Sequence, residues 1–355
     1  MQPIKDNAQP NRNPNVQPNV QPSMLTILHK LRMCRQKINL LIMMSIFLVG
    51  LMNVATATTT SKADYSVKHK TTHHTHVKKK RHTKRTAHVR AMPTATDQLP
   101  SGDTSNNRHN PRLYSYSALA MDAKSGEVLI SKNPNTQLPI ASITKLMTAM
   151  VTLDSETDLD DYVTISSSDI DTLKNTYSRL KVGMQFRRRD LLLLALMSSE
   201  NRAAHALART SYSGGLSSFI QKMNTKAKSL GMLNTQFYDP TGLTVANQST
   251  AEDLSKMVRA AFEYDLIRRD TTTKDADVML SRNYVHRYIN SDALVRTNKF
   301  QISLSKTGFI NEAGHCLVLY SIVNTRPIIM VFLNSAGKGG RLIDALTVKN
   351  YIKQL

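Results

Sequence analysis

Cysteine is almost missing from this chain: Cys34 and Cys316 are the two among 355 residues. Cys34 falls in a leading segment expected to be removed, so Cys316 stands alone and no internal disulfide can form. The fold must therefore rest on its packed core. A composition 41% hydrophobic supplies one, for one large or two small domains. Cys316 lies in an apolar run and reads as a buried strand residue rather than a reactive thiol.

Acidic residues are also few, 26 against 47 Lys and Arg, for a formal charge of +21. The excess is uneven: Met1 to Lys37 carries +5 and Ser61 to Arg90 carries +9, leaving +7 for the rest. Most of the basicity thus lies outside the expected folded domain. At the front of the chain a run long enough to span a membrane is missing as well. Ile38 to Met52 is apolar for 15 residues, short of the roughly 20 that a spanning helix needs. It follows Arg32, Arg35 and Lys37 and precedes Ala55-Thr56-Ala57, a small-x-small cleavage pattern. Residues 1–57 therefore read as a secretory signal peptide with a long leading segment, which a start at Met24 or Met33 would shorten. An uncleaved inner-membrane anchor is the alternative. Both readings imply export.

Residues 58–110 are poor in apolar side chains and rich in Thr, His, Lys and Arg, as expected of a disordered tether. Lys78-Lys79-Lys80-Arg81 could grip anionic envelope polymers through summed, salt-screened electrostatics. Export argues against nucleic acid as the partner. His73, His74 and His76 have no companion ligands spaced like a structural site, so no metal or cofactor is expected.

Ordered structure is expected from about residue 111 to 355. Ser117 to Met121 and Val128 to Ile130 read as a first hairpin turning at Lys124-Ser125-Gly126. Ser142 opens a helix to about Leu153, and further helices are expected over Arg189–Met197, Arg202–Arg209, Leu216–Leu230 and Ala251–Tyr264. Strands return at Arg296–Phe300, Leu304–Phe309, Cys316–Val323 and Ile328–Leu333, before a last helix over Gly340–Lys353. Strands from both ends with helices between them predict an α/β fold. Its antiparallel sheet is flanked by helices, with an inserted, mostly helical lobe over about 154–264 and a cleft between lobe and sheet edge.

Three strings occur in order: Ser142-Ile143-Thr144-Lys145, Ser199-Glu200-Asn201 and Lys306-Thr307-Gly308. Serine is a poor nucleophile until a base takes its proton. Residues three apart on a helix share a face, so Lys145 lies beside Ser142, and a desolvated lysine can act as that base. Ser199 could pass the proton to a leaving amine, Asn201 could donate to a substrate carbonyl, and Glu200 is expected to point away. Lys306 and Thr307 can bind a carboxylate, and Gly308 lets a substrate backbone approach the strand edge. The oxyanion hole would be the backbone N–H groups of Ser142 and Phe309. Each string alone is weak. Lys124-Ser125-Gly126 and the Ser-x-x-Lys copies at Ser303 and Ser335 lack the other two motifs in order.

With these residues the chain resembles the low-molecular-weight penicillin-binding proteins, the serine D-Ala-D-Ala peptidase family, from about Leu113 to Leu355. Leu138 to Met150, Ser199 to Ala204, Met223 to Gly231 and Lys306 to Gly314 resemble its D-alanyl-D-alanine endopeptidase (penicillin-binding protein 7) branch. The resemblance implies a β-lactamase/transpeptidase-like fold in a periplasmic enzyme. Such an enzyme cuts D-alanyl to diaminopimelate cross-links in peptidoglycan peptides through an acyl-serine, with β-lactams as inhibitors. It places Ser142 as nucleophile, Lys145 as base, Ser199 and Asn201 as relay and binder, and Lys306 to Phe309 as the substrate strand. The 47 residues after Gly308 leave no room for the extra β-domain and amphipathic anchor of many D,D-carboxypeptidases. No Glu-x-x-Leu-Asn string, the deacylating glutamate of a class A β-lactamase, follows Asn201. A D,D-carboxypeptidase and a catalytically weak wall-binding protein remain the alternatives. A monomer is expected.

Overall fold

The computed structural model describes residues 111–297 and 301–355. The expected signal peptide (1–57), the expected tether (58–110) and residues 298–300 lie outside the described residues.

The chain opens with strands β1 (Ser115–Asp122), β2 (Val128–Lys132) and the short β3 (Leu138–Pro139). A 3₁₀ turn at Ala141–Ile143 leads into α1 (Thr144–Leu153). Then come β4 (Tyr162–Thr164), β5 (Gln185–Arg187), α2 (Arg188–Met197), α3 (Asn201–Thr210) and α4 (Gly215–Ser229). They are followed by β6 (Gln248–Ser249), α5 (Ala251–Phe262), α6 (Asp265–Thr272) and a hairpin of β7 (Asp275–Ser281) and β8 (Tyr284–Ile289). The last elements are α7 (Ala293–Thr297), β9 (Ile302–Ile310), β10 (Gly314–Val323), β11 (Arg326–Ser335) and α8 (Gly337–Ile352).

The main sheet is antiparallel in the order β2-β1-β11-β10-β9, so its two chain ends meet at β1 and β11. Its central strands read as continuous apolar runs because both faces are covered. Alternation sorts them: Ala118, Leu317, Leu319, Met330 and Phe332 pack on α8 with Ala345, Val348 and Ile352. The intervening Leu119, Val318, Ile329, Val331 and Leu333 join the larger core with α1 and α5. Residues Thr144 to Thr152 of α1 are all buried, as in a helix packed on every side. The buried Asp344 of α8 accepts Tyr114 N and Ser115 N, each at 2.8 Å, pinning the start of β1 to the last helix.

One expected strand is a correction. Arg296–Phe300 is not a strand over its described part, because α7 takes Arg296 and Thr297. Asp292 starts that helix, its Oδ1 accepting Leu294 N at 2.9 Å. The β7–β8 hairpin and α6 went unread in the sequence, and α5 stops at Phe262 while Tyr264, expected within it, caps the start of α6.

Candidate active site

Ser142 sits in the 3₁₀ turn, partly exposed, between Ala141 at φ +46° and the start of α1. Two glycines are pressed against this turn. A Cβ on Gly242, itself at φ +82°, would lie 1.9 Å from Ala141 O, and one on Gly308 would lie 3.2 Å from Ser142 N. Both positions need the bare backbone. The Gly308 contact brings β9 beside the nucleophile and sets the Gly308–Phe309 peptide next to the Ser142 amide.

Lys145, one turn along, is 1% exposed. Its Nζ lies 2.8 Å from Ser142 Oγ, 2.6 Å from Asn201 Oδ1 and 2.7 Å from Thr241 O. Burial lowers its pKa to about 7, against the opposing pull of Asp239, Glu200 and Asp171. A lysine poised there is half neutral near physiological pH and can accept the Ser142 proton.

Ser199 adopts φ +63° in the break between α2 and α3, and its Oγ accepts from Lys306 Nζ at 2.9 Å. The relay expected to leave Lys145 through Ser199 thus meets Lys306 here. Asn201 begins α3, accepting from Lys145 and donating through Nδ2 to Thr176 Oγ1 at 3.0 Å. Glu200, expected to point away, is tied to its own helix start and to the neighbouring loop. It is largely buried, accepts Arg202 N at 3.3 Å, bonds Ser178, and burial raises its pKa.

On the opposite wall Lys306 is fully buried. Its pKa falls well below the usual lysine range through burial and then the charge of Lys145. Thr307 Oγ1 pairs with Ser291 Oγ at 2.7 Å, and the buried Asp292 accepts from Ser305 Oγ at 2.6 Å. Phe309 is exposed at the cleft mouth, its ring stacked on His315. β9 pairs with β10 alone in the sheet order, so its other edge is open to the cleft.

The structure therefore gathers Ser142, Lys145, Ser199, Asn201 and Lys306 to Phe309 around one crevice. Sequence reasoning missed several neighbours. Asp239 accepts Thr241 N, Gly242 N and Thr244 N, shaping the turn that delivers Thr241 O to Lys145. Asp239-Pro240-Thr241-Gly242 carries the residue types of a turn, but nothing in that string states its destination. Arg341 of α8 is a partly buried cation close enough to disfavour the charge on Lys306, and its Nε and Nη1 lack hydrogen-bond partners. A cavity of about 320 Å³ opens beside Asn201 and Thr241, bordered by Asp171, His205 and Tyr238. Among the described residues there is no cluster of ligands for a metal ion, and no helix is long and apolar enough to cross a membrane.

Residues 104–337 match the family model described as D-alanyl-D-alanine carboxypeptidase. The chain is 46% identical over 242 residues to a D-alanyl-D-alanine endopeptidase of Pseudomonas aeruginosa, covering 68% of this chain and 78% of that protein. A D-alanyl-D-alanine endopeptidase of Escherichia coli is 42% identical over 264 residues, covering 74% and 85%. Among solved structures, a mutant Streptomyces DD-transpeptidase superposes at TM-score 0.64 and 32% identity, over 69% of this chain and 100% of that one. A D-alanyl-D-alanine carboxypeptidase of Mycobacterium tuberculosis superposes at 0.62 and 28% identity, over 73% and 97%. With a serine–lysine pair at the centre of that shared fold, this chain belongs to the D-alanyl-D-alanine carboxypeptidase family of serine peptidases.

Proposed function

We propose that this protein is an exported peptidoglycan D,D-endopeptidase acting in wall remodelling, which hydrolyses D-alanyl to diaminopimelate cross-links through an acyl-serine intermediate. The observation that carries the chemistry is the 2.8 Å contact between Ser142 Oγ and a buried Lys145 with a pKa of about 7. The neutral amine takes the serine proton as Oγ attacks the D-alanyl carbonyl. Charge on the carbonyl oxygen falls between the N–H groups of Ser142 and Phe309. The leaving amine collects a proton through Ser199, which sits against Lys306. Water then attacks the ester, and Lys145 serves as base a second time. The carboxylate beyond the scissile bond lies against Lys306 and Thr307, with the guanidinium of Arg341 adding positive charge.

Cleavage within a cross-link, rather than removal of a terminal D-alanine, is supported by the identity gradient. Two endopeptidases stand at 46% and 42%, whereas a Bacillus subtilis carboxypeptidase stands at 32%. D,D-carboxypeptidase is the second reading, because such enzymes share the family and the fold. Residues 1–57 act in this proposal as the export signal and 58–110 as a basic tether to anionic envelope polymers, leaving residues from 111 onward as the catalytic domain in the periplasm. β-Lactams acylate Ser142.

Digestion of cross-linked dimeric muropeptides beside pentapeptide monomers tests the choice. Dimers are expected to be cut faster, and preferential release of D-alanine from monomers would replace the endopeptidase by the carboxypeptidase. Fluorescent penicillin is expected to label the wild type covalently and to leave Ser142→Ala unlabelled; equal labelling of both would reject the nucleophile.

A further inference from the structure

An ion pair joins the two walls of the cleft. Lys174 lies in the loop that Asn201 holds through Thr176, and its Nζ is 2.6 Å from Glu312 Oε1. Glu312 belongs to the turn after β9, four residues past Gly308 and so at most roughly 14 Å along the chain from it. Both backbones are fixed: Lys174 N donates to Asp171 Oδ1 at 3.0 Å, and Ala313 N closes the turn onto Ile310 O at 3.1 Å. The side chains are 29% and 45% exposed, so solvent screens their attraction and the pair contributes little to the fold. A contact that opens cheaply between two anchored groups is suited to exchange with a ligand.

A substrate strand added antiparallel to the open edge of β9 has its carboxyl end at Lys306 and its earlier residues at Ile310 and beyond. The residue before the scissile D-alanine is therefore delivered toward Lys174 and Glu312. On the endopeptidase reading, on which this inference rests, that residue is diaminopimelate. Its free side chain ends in an ammonium and a carboxylate on one carbon. We propose that Lys174 and Glu312 give up each other for this zwitterion, Lys174 taking the carboxylate and Glu312 the ammonium, and so select the donor stem. Each charge keeps an opposite partner throughout, so the exchange leaves no ion unpaired.

The test uses the full chain with three dimeric muropeptides: donor side chain zwitterionic, with its carboxylate amidated, and with its amine acetylated. Lys174→Ala is expected to raise KM about tenfold on the zwitterionic dimer and to leave the amidated dimer unchanged. Glu312→Ala is expected to raise KM on both of those and to leave the acetylated dimer unchanged. Penicillin acylation, which needs no donor side chain, is expected to stay within about twofold in both variants and reports an intact fold. An equal rise on all three dimers would make the pair a mere strap between the walls and overturn the inference, as would no change on any. A wild type that binds penicillin covalently yet cuts no dimer would instead overturn the endopeptidase reading, and the inference with it.

Discussion

β9 and the loops that face it hold their functional groups by different means. β9 carries Lys306 and Thr307 on a strand laddered to β10 over Ile302–Ile310 and backed by fully buried neighbours such as Leu317, Val318 and Leu319. Apolar packing and backbone pairing fix its position, and the side chains follow by alternation. The facing wall has no such ladder. Thr241 O reaches Lys145 because Asp239 gathers the amides of residues 241, 242 and 244, while Asn247 ties the same turn to Thr144. Asp171 does the same for the loop carrying Thr176, accepting from residues 173, 174 and 176. One wall is placed by burial and the other by carboxylates saturated with backbone donors. A defect in the first should therefore cost stability, and a defect in the second should misplace chemistry.

The largest expected effect comes from crossing that line. Asp239→Ala removes the acceptor that shapes the Thr241 turn, and a displacement of about 1 Å there should slow penicillin acylation by about 10²-fold. Leu319→Ala, inside the sheet, should cost about 2–5 kcal/mol of stability while the protein that remains folded acylates at the wild-type rate. Stopped-flow acylation beside urea denaturation measures both. Matching losses of rate in the two variants would erase the contrast.

A smaller effect lies in the pH dependence. Lys145 is the base whose neutral form takes the Ser142 proton, and with its pKa near 7 acylation should rise about tenfold per pH unit below 7 and level off above 8. The sign for stability is the same. The folded pKa is depressed below 10.5, so between about pH 7 and 10.5 the unfolded state binds the extra proton and stability rises with pH. Below pH 7 both states are protonated and the cost of a buried charge is complete. Lys145→Met should remove this positive slope from the pH dependence of unfolding. An acid limb near the ordinary lysine range would place the base in an open site.

The smallest expected effect is none at all. Cys316 pairs opposite Gly308 in the sheet, fully buried, and burial pushes its thiol up to about 11. Alkylation mapped to Cys316 should be absent at pH 8 in the native protein and complete in urea. Rapid native labelling would show that the sheet wall opens as readily as the loops.

What could be read in advance divides along the same line. Ser142, Lys145, Ser199, Asn201 and Lys306 to Gly308 were legible because each string is local and its spacing states its geometry. The sheet from both chain ends was legible in its apolar runs, and Cys316 is buried in a strand, as read. Thr241, Thr176, Asp239 and Arg341 were not, since each reaches the crevice through tertiary packing that no short pattern encodes. The partners of Glu200 were hidden for a related reason, because Ser178, which bonds its carboxylate, comes from the neighbouring loop. Arg296 and Thr297 look extended in isolation, and only Asp292, ahead of them, starts a helix.

Asp344 accepts the amides of Tyr114 and Ser115 from 230 and 229 positions away, and β1 completes the sheet only beside β11. β1 can pair with β2 early, but a ribosome must deliver almost the whole polypeptide before it finds β11. A prematurely terminated product lacks the scaffold that sets Lys306 opposite Ser142, and so carries no activity against the wall of the cell that made it.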